Sequence, residues 1–142
     1  MPPQNVEAEI STLGALMLDQ SATIKVVDIL EPEDFYRPQH QRIYEVVIEL
    51  FSRSQPIDVL SVSARLREKG VLENVGGVSY LTDLVNSVVS STNVAHYAEI
   101  VRKKKVLREL IQASSEISDL GYNEQEEIDA LLDEAEKKVF SI

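Results

Sequence analysis

Apolar residues in this chain recur at spacings of three and four, and the periodic stretches break at prolines, glycines and capping residues. Ile10, Leu13, Leu16 and Met17 form the first stripe and predict a helix from Val6 to about Leu18. Asn5 is placed to cap it, and Glu7 and Glu9 in its first turn suit the positive end of the helix dipole. A second helix is expected from Ser21 to Leu30, presenting Ile24, Val27 and Leu30. It must stop at Glu31-Pro32, because proline denies its predecessor the helical region. Asp34-Phe35-Tyr36 reads as a turn whose aromatics staple the next helix, where Pro38 suits the first position. Ile43, Val46, Val47 and Leu50 carry that helix to about Ser52. Asp58 predicts a cap for a helix ending at Lys69-Gly70, and Gly76-Gly77 a turn before a helix over about Val78 to Val88. The β-branched run at Ser87 to Ser91 has no partner strand and reads as loop.

From Thr92 the pattern changes. No Gly or Pro interrupts the chain to Leu120, so one helix of roughly 28 residues, on the order of 42 Å, is allowed. Gly121 is a natural stop, and Asn123 with Glu126 resembles the capping box of a last helix. Ile128, Leu131, Leu132, Ala135 and Val139 form that helix's stripe. The expected fold is therefore all-α: a compact multi-helix head over 1–91 and a protruding antiparallel helical hairpin over 92–142. Leu107, Leu110, Ile111, Ile117, Leu131 and Leu132 are too many for a single seam between two helices. Either the hairpin folds back on its own head, or it packs on a second copy in a two-fold four-helix arrangement. Each such side chain is worth about 1.5–3 kcal/mol when buried, and several together exceed an association cost on the order of 4–15 kcal/mol. Leu107, Leu110, Ile128, Leu131, Leu132 and Ala135 are the candidate oligomerisation residues. Leu131 and Leu132 are neighbours and cannot both face one seam, so one of them is expected to reach a second copy.

Composition narrows the function classes. A chain of 142 residues with 44% apolar and 27% charged residues can bury a core and is not a disordered tail. Without cysteine it has no disulfide, thiolate metal site or cysteine nucleophile, which suits a reducing cytoplasm. No apolar run is long enough to cross a membrane, and no signal-peptide pattern is present. The net charge of −10 disfavours tight binding to DNA, whose phosphates are read through Lys and Arg. The one basic cluster, Arg102 to Lys105 with Arg108, spreads around a helix and reads as solvated surface.

Candidate chemistry is sparse. No G-x-x-x-x-G-K-[ST] is present to bind ATP, and Gly76-Gly77 is explained by a turn. His40 and His96 lack a metal-like partner and read as structural or surface residues. The acidic pairs Glu7 and Glu9, Glu33 and Asp34, and Glu126 and Glu127 read as ordinary helix-surface residues. No catalytic constellation, cofactor site or metal site emerges.

Five segments in order carry a family resemblance: Pro2-Pro3-Gln4-Asn5-Val6-Glu7-Ala8-Glu9, Pro32-Glu33-Asp34-Phe35-Tyr36, His40-Gln41, Gly76-Gly77-Val78-Ser79-Tyr80-Leu81, and Asn93-Val94-Ala95-His96-Tyr97-Ala98. Together they resemble the amino-terminal domain of bacterial DnaB-type replicative DNA helicases, from Pro2 to about Phe140. The resemblance implies the collar of a six-membered ring, followed in the parent by a linker helix and a RecA-like ATPase using ATP and magnesium. On that reading the chain is not itself an enzyme. It is an assembly and docking module of the primosome, cytoplasmic and self-associating through its hairpin. The carboxy-terminal helical domain of primase is its expected partner, and a helicase loader is a further candidate. The implied primase contacts are Glu7, Tyr80, Ile111, Ile117 and Asp119. For the isoleucines the hairpin seam is an equally open reading, as is the head core for Tyr80. A free-standing helical adaptor with the same fold and no motor is the alternative, and an enzyme with an unfamiliar site is a distant third.

Overall fold

The computed structural model describes all 142 residues. Eight α-helices and two short 3-10 turns account for its regular structure, and there is no strand. The helices are α1 (Val6–Leu18), α2 (Ala22–Val26), α3 (Pro38–Ser52), α4 (Val59–Glu68), α5 (Leu72–Val75), α6 (Gly77–Asn86), α7 (Val94–Leu120) and α8 (Ile128–Phe140). The all-α fold expected from the sequence is the fold observed. Two compact units divide the chain: Gln4–Arg102, and Lys103–Ile142 together with Met1–Pro3.

In the unit Gln4–Arg102, α1 is the central element. Asn5 Oδ1 accepts the Ala8 N–H at 3.0 Å, so the cap read from sequence forms. Every residue from Thr12 to Met17 is buried, which makes α1 a core helix rather than a surface one. Gly14 permits this. A Cβ there would lie 2.2 Å from the Leu84 carbonyl oxygen, so α6 approaches α1 backbone to backbone. Helix α3 contributes Ile43, Val46, Val47 and Leu50, all buried as its periodicity predicts. Asp58 caps α4 by accepting the Ser61 N–H at 2.7 Å. The opening turns of α7 place Val94, Ala98 and Val101 in the same buried cluster. The division between units therefore falls inside α7.

Two local expectations fail, and one element had none. The second helix stops at Val26 instead of Leu30, and Ile24 is exposed while Ala22, Thr23, Val26 and Leu30 are buried. Its β-branched run (Thr23, Ile24, Val26, Val27) propagates a helix poorly, and the chain turns instead. The short helix α5 was not foreseen. The last helix begins at Ile128, with no side-chain cap; Asn123 Oδ1 accepts the Gln125 N–H at 3.3 Å rather than forming a capping box.

The unit Lys103–Ile142 is a helical hairpin of the rest of α7 and α8, linked by a Lys138–Glu116 ion pair at 3.4 Å. Glu116 is held below the usual carboxylate range by Gln112 and then by Lys138. Arg108 Nη1 donates to the Pro3 carbonyl at 2.7 Å, which ties Met1–Pro3 to α7. Ala113 is the only buried residue between Lys103 and Ile142.

Candidate functional site

The hairpin carries its apolar residues on the outside. Leu110 is 50% exposed, Ile111 58%, Ile128 67% and Leu132 56%. Leu107, Ile117, Leu131 and Ala135 are partly buried, so the inner seam takes only part of the stripe. Of the adjacent leucines, Leu132 is the outward one. Near the turn, Ile117, Leu120, Ile128, Leu131, Leu132 and Ala135 line an open groove of about 480 Å³.

In the unit Gln4–Arg102 the chemistry-bearing side chains converge at one place. His40, fully buried on α3, lies 2.7 Å through Nδ1 from Glu9 Oε1 on α1. Its Nε2 lies 2.6 Å from the Tyr80 hydroxyl on α6. Glu9 is also buried, and its second oxygen accepts the Tyr36 N–H at 2.7 Å. The rings of His40 and Tyr80 stack with centroids 6.0 Å apart, and Phe35 meets His40 edge-on at 6.4 Å. The buried carboxyl of Glu9 and the ring of His40 are thus hydrogen-bonded, as burial demands.

One more carboxylate contradicts the surface reading. Asp34 is buried; its Oδ2 accepts the Glu31 N–H at 2.8 Å and its Oδ1 the Arg102 guanidinium at 2.9 Å. Of the basic cluster, Arg102 and Arg108 each make a structural hydrogen bond, to Asp34 and to the Pro3 carbonyl, while remaining partly exposed. No group of three or more His, Asp or Glu side chains converges to hold a metal ion.

Residues 1–103 match the DnaB-like helicase N terminal domain family. The chain belongs to that family. It is 44% identical over 142 residues to the replicative DNA helicase DnaB of Geobacillus stearothermophilus, covering all of this chain and 31% of that protein. The replicative DNA helicase DnaC of Bacillus subtilis (strain 168) is equally similar, 44% identical with the same coverage. The chain thus spans about a third of the length of these curated relatives. The crystal structure of the N-terminal domain of DnaB helicase from Mycobacterium tuberculosis matches with a TM-score of 0.95 at 35% identity, covering 100% of both chains. A DnaB-like replicative helicase, in a structure described with its interactions with primase, matches with a TM-score of 0.80 at 27% identity. That match covers 97% of this chain and 31% of the other.

The residues implied by the DnaB-like resemblance fall in both units. Glu7 is exposed in the first turn of α1, and Tyr80 is partly exposed on α6. Ile111 and Asp119 are exposed on α7, while Ile117 is half-buried. Glu9 is buried where the sequence reading expects a surface residue, and His40 takes the structural place that reading allows. A signal was present: Glu9 is in register with Leu13 and Leu16, and His40 with Ile43, Val47 and Leu50, so each lies on an inward face.

Proposed function

We propose that this chain is the collar domain of a replicative DNA helicase, assembling with further copies of itself and docking the carboxy-terminal helical domain of primase during DNA replication in the cytoplasm. The parent would unwind DNA with ATP and magnesium through a motor domain outside these residues. The observation that carries the proposal is the outward apolar row Leu110, Ile128 and Leu132 on a hairpin whose only buried residue is Ala113. Leu107, Leu131 and Ala135 would add to this surface, and a second copy laid against it would make a four-helix arrangement. Primase then docks where Ile111, Ile117 and Asp119 stand on α7, with Glu7 and Tyr80 as its contacts on the other unit. Tyr80 suits this role through its large apolar ring, its hydroxyl being engaged by His40.

Calorimetric titration with the cognate primase domain tests the docking. Ile111→Ala and Ile117→Ala should each weaken binding by about 1–3 kcal/mol, a typical hot-spot loss, with the circular dichroism spectrum unchanged. Unchanged affinity in both, together with Tyr80→Ala, would remove this surface from consideration. Affinity for single-stranded DNA should stay weaker than micromolar at physiological salt, given the net charge of −10 and the structural engagement of Arg102 and Arg108.

A further inference from the structure

Tyr80 marks the point at which the buried polar chain of the unit Gln4–Arg102 reaches the surface. With Glu9 as a carboxylate its Oε1 accepts, and Nδ1 of His40 is then the donor across the 2.7 Å between them. In the singly protonated ring Nε2 then accepts from the Tyr80 hydroxyl at 2.6 Å. The far end of the chain is fixed by backbone, since Glu9 accepts the Tyr36 N–H at 2.7 Å and the Arg37 N–H at 3.5 Å. Helices α1, α3 and α6 are joined through these three side chains.

Apolar residues of similar volume would hold the three helices together without burying a carboxylate and an imidazole. They could not fix the direction of a phenol hydroxyl, and with it the pose of the ring. Gly76 makes room for that pose. At φ +114°, in a backbone region that side chains rarely adopt, a Cβ at position 76 would lie 2.6 Å from Tyr80 Cβ and 2.9 Å from its Cγ. A ring clamped at its hydroxyl and relieved at its base is ordered before any partner arrives, which removes an entropic cost from docking.

We propose that Glu9 and His40 are positioning residues for the docking surface at Tyr80: they hold its ring in the binding pose through the hydroxyl. This rests on the reading that Tyr80 contacts the primase helical domain. The chain and its His40→Asn, His40→Gln, Tyr80→Phe and Tyr80→Ala variants are titrated calorimetrically with that domain, with circular dichroism on each. Asn places an amide near Nδ1 and keeps a donor to Glu9 but falls short of Tyr80. Gln reaches the place of Nε2. His40→Asn and Tyr80→Phe should each weaken binding about three- to tenfold, the loss expected for one hydrogen bond. Their combination should be no weaker than either alone, and His40→Gln should recover most of the loss.

Additive losses in the double variant, or no recovery with His40→Gln, would overturn the proposal, because His40 would then act only through the fold. Wild-type affinity in Tyr80→Phe with a loss in Tyr80→Ala would also overturn it, and would leave docking at Tyr80 standing. No effect of Tyr80→Ala would remove that docking and the positioning role together. Should His40→Asn not fold, Tyr80→Phe decides, since it keeps the buried pair and deletes only the hydroxyl.

Discussion

Helices α3 and α8 are written in the same periodic code and end in opposite situations. In α3, Ile43, Val46, Val47 and Leu50 are all buried. In α8 no residue is buried, and Ile128, Leu132 and Val139 are each more than half exposed. The same contrast separates the two compact units, one filled around α1 and the other with Ala113 alone inside. Periodicity states which face of a helix requires burial; it does not state whether this chain supplies the cover. Where the chain does not, the apolar face is surface available to another molecule.

Truncation within the filled unit should have the largest effect. Leu81 on α6 is fully buried, and Leu81→Ala should lower unfolding stability by about 2–5 kcal/mol in urea titrations. A smaller loss, about 1–3 kcal/mol, is expected for Gly14→Ala, where the added methyl meets the Leu84 carbonyl and α6 has to shift. Leu132→Ala should sharpen the contrast. At low protein concentration its effect should stay within about 0.5 kcal/mol, as for a surface substitution. At high concentration the melting temperature should fall relative to wild type, because a lost partner destabilises by mass action. A Leu132→Ala loss as large as that of Leu81→Ala at every concentration would erase the distinction between the units.

The smallest effect concerns acid stability. Glu49 is paired with Arg53 at 3.1 Å, Arg65 at 2.6 Å and Lys69 at 3.0 Å. Hydrogen bonding from Arg65, and then Lys69, holds its carboxyl at about 2 against an ordinary 4.5. A carboxyl held down in the folded state stabilises it above the unfolded value. That contribution is complete above about pH 4.5 and is lost as pH falls toward about 2. Glu49→Gln should therefore flatten the stability profile in this window only, read from urea midpoints at about pH 5 and about pH 3. An unchanged slope between the two would mean that the cluster contributes nothing to folding.

The residues differed in how far sequence could place them. Caps and breakers were legible, because Asn5, Asp58, Pro38 and Gly121 act on their own few neighbours. So was the long helix α7, which nothing interrupts. The early end of α2 was obscured because apolar residues on both sides of a short segment fit two registers. The buried Glu9–His40–Tyr80 chain joins residues 31 and 40 positions apart, a separation that no local rule spans. Its partners were nonetheless in register with apolar stripes, and a polar residue on an inward face is a request for a distant partner. Periodicity in the hairpin names the faces that are apolar but not what covers them, so both readings stay open there.

The mass of the chain in solution tests the central claim most directly. Multi-angle light scattering at tens of micromolar should give a dimer or larger assembly for the wild type, and a monomer with undiminished helical circular dichroism for Leu132→Asp. A wild-type chain that remains monomeric at that concentration would contradict the claim that the outer face of the hairpin is built to be covered by a second copy.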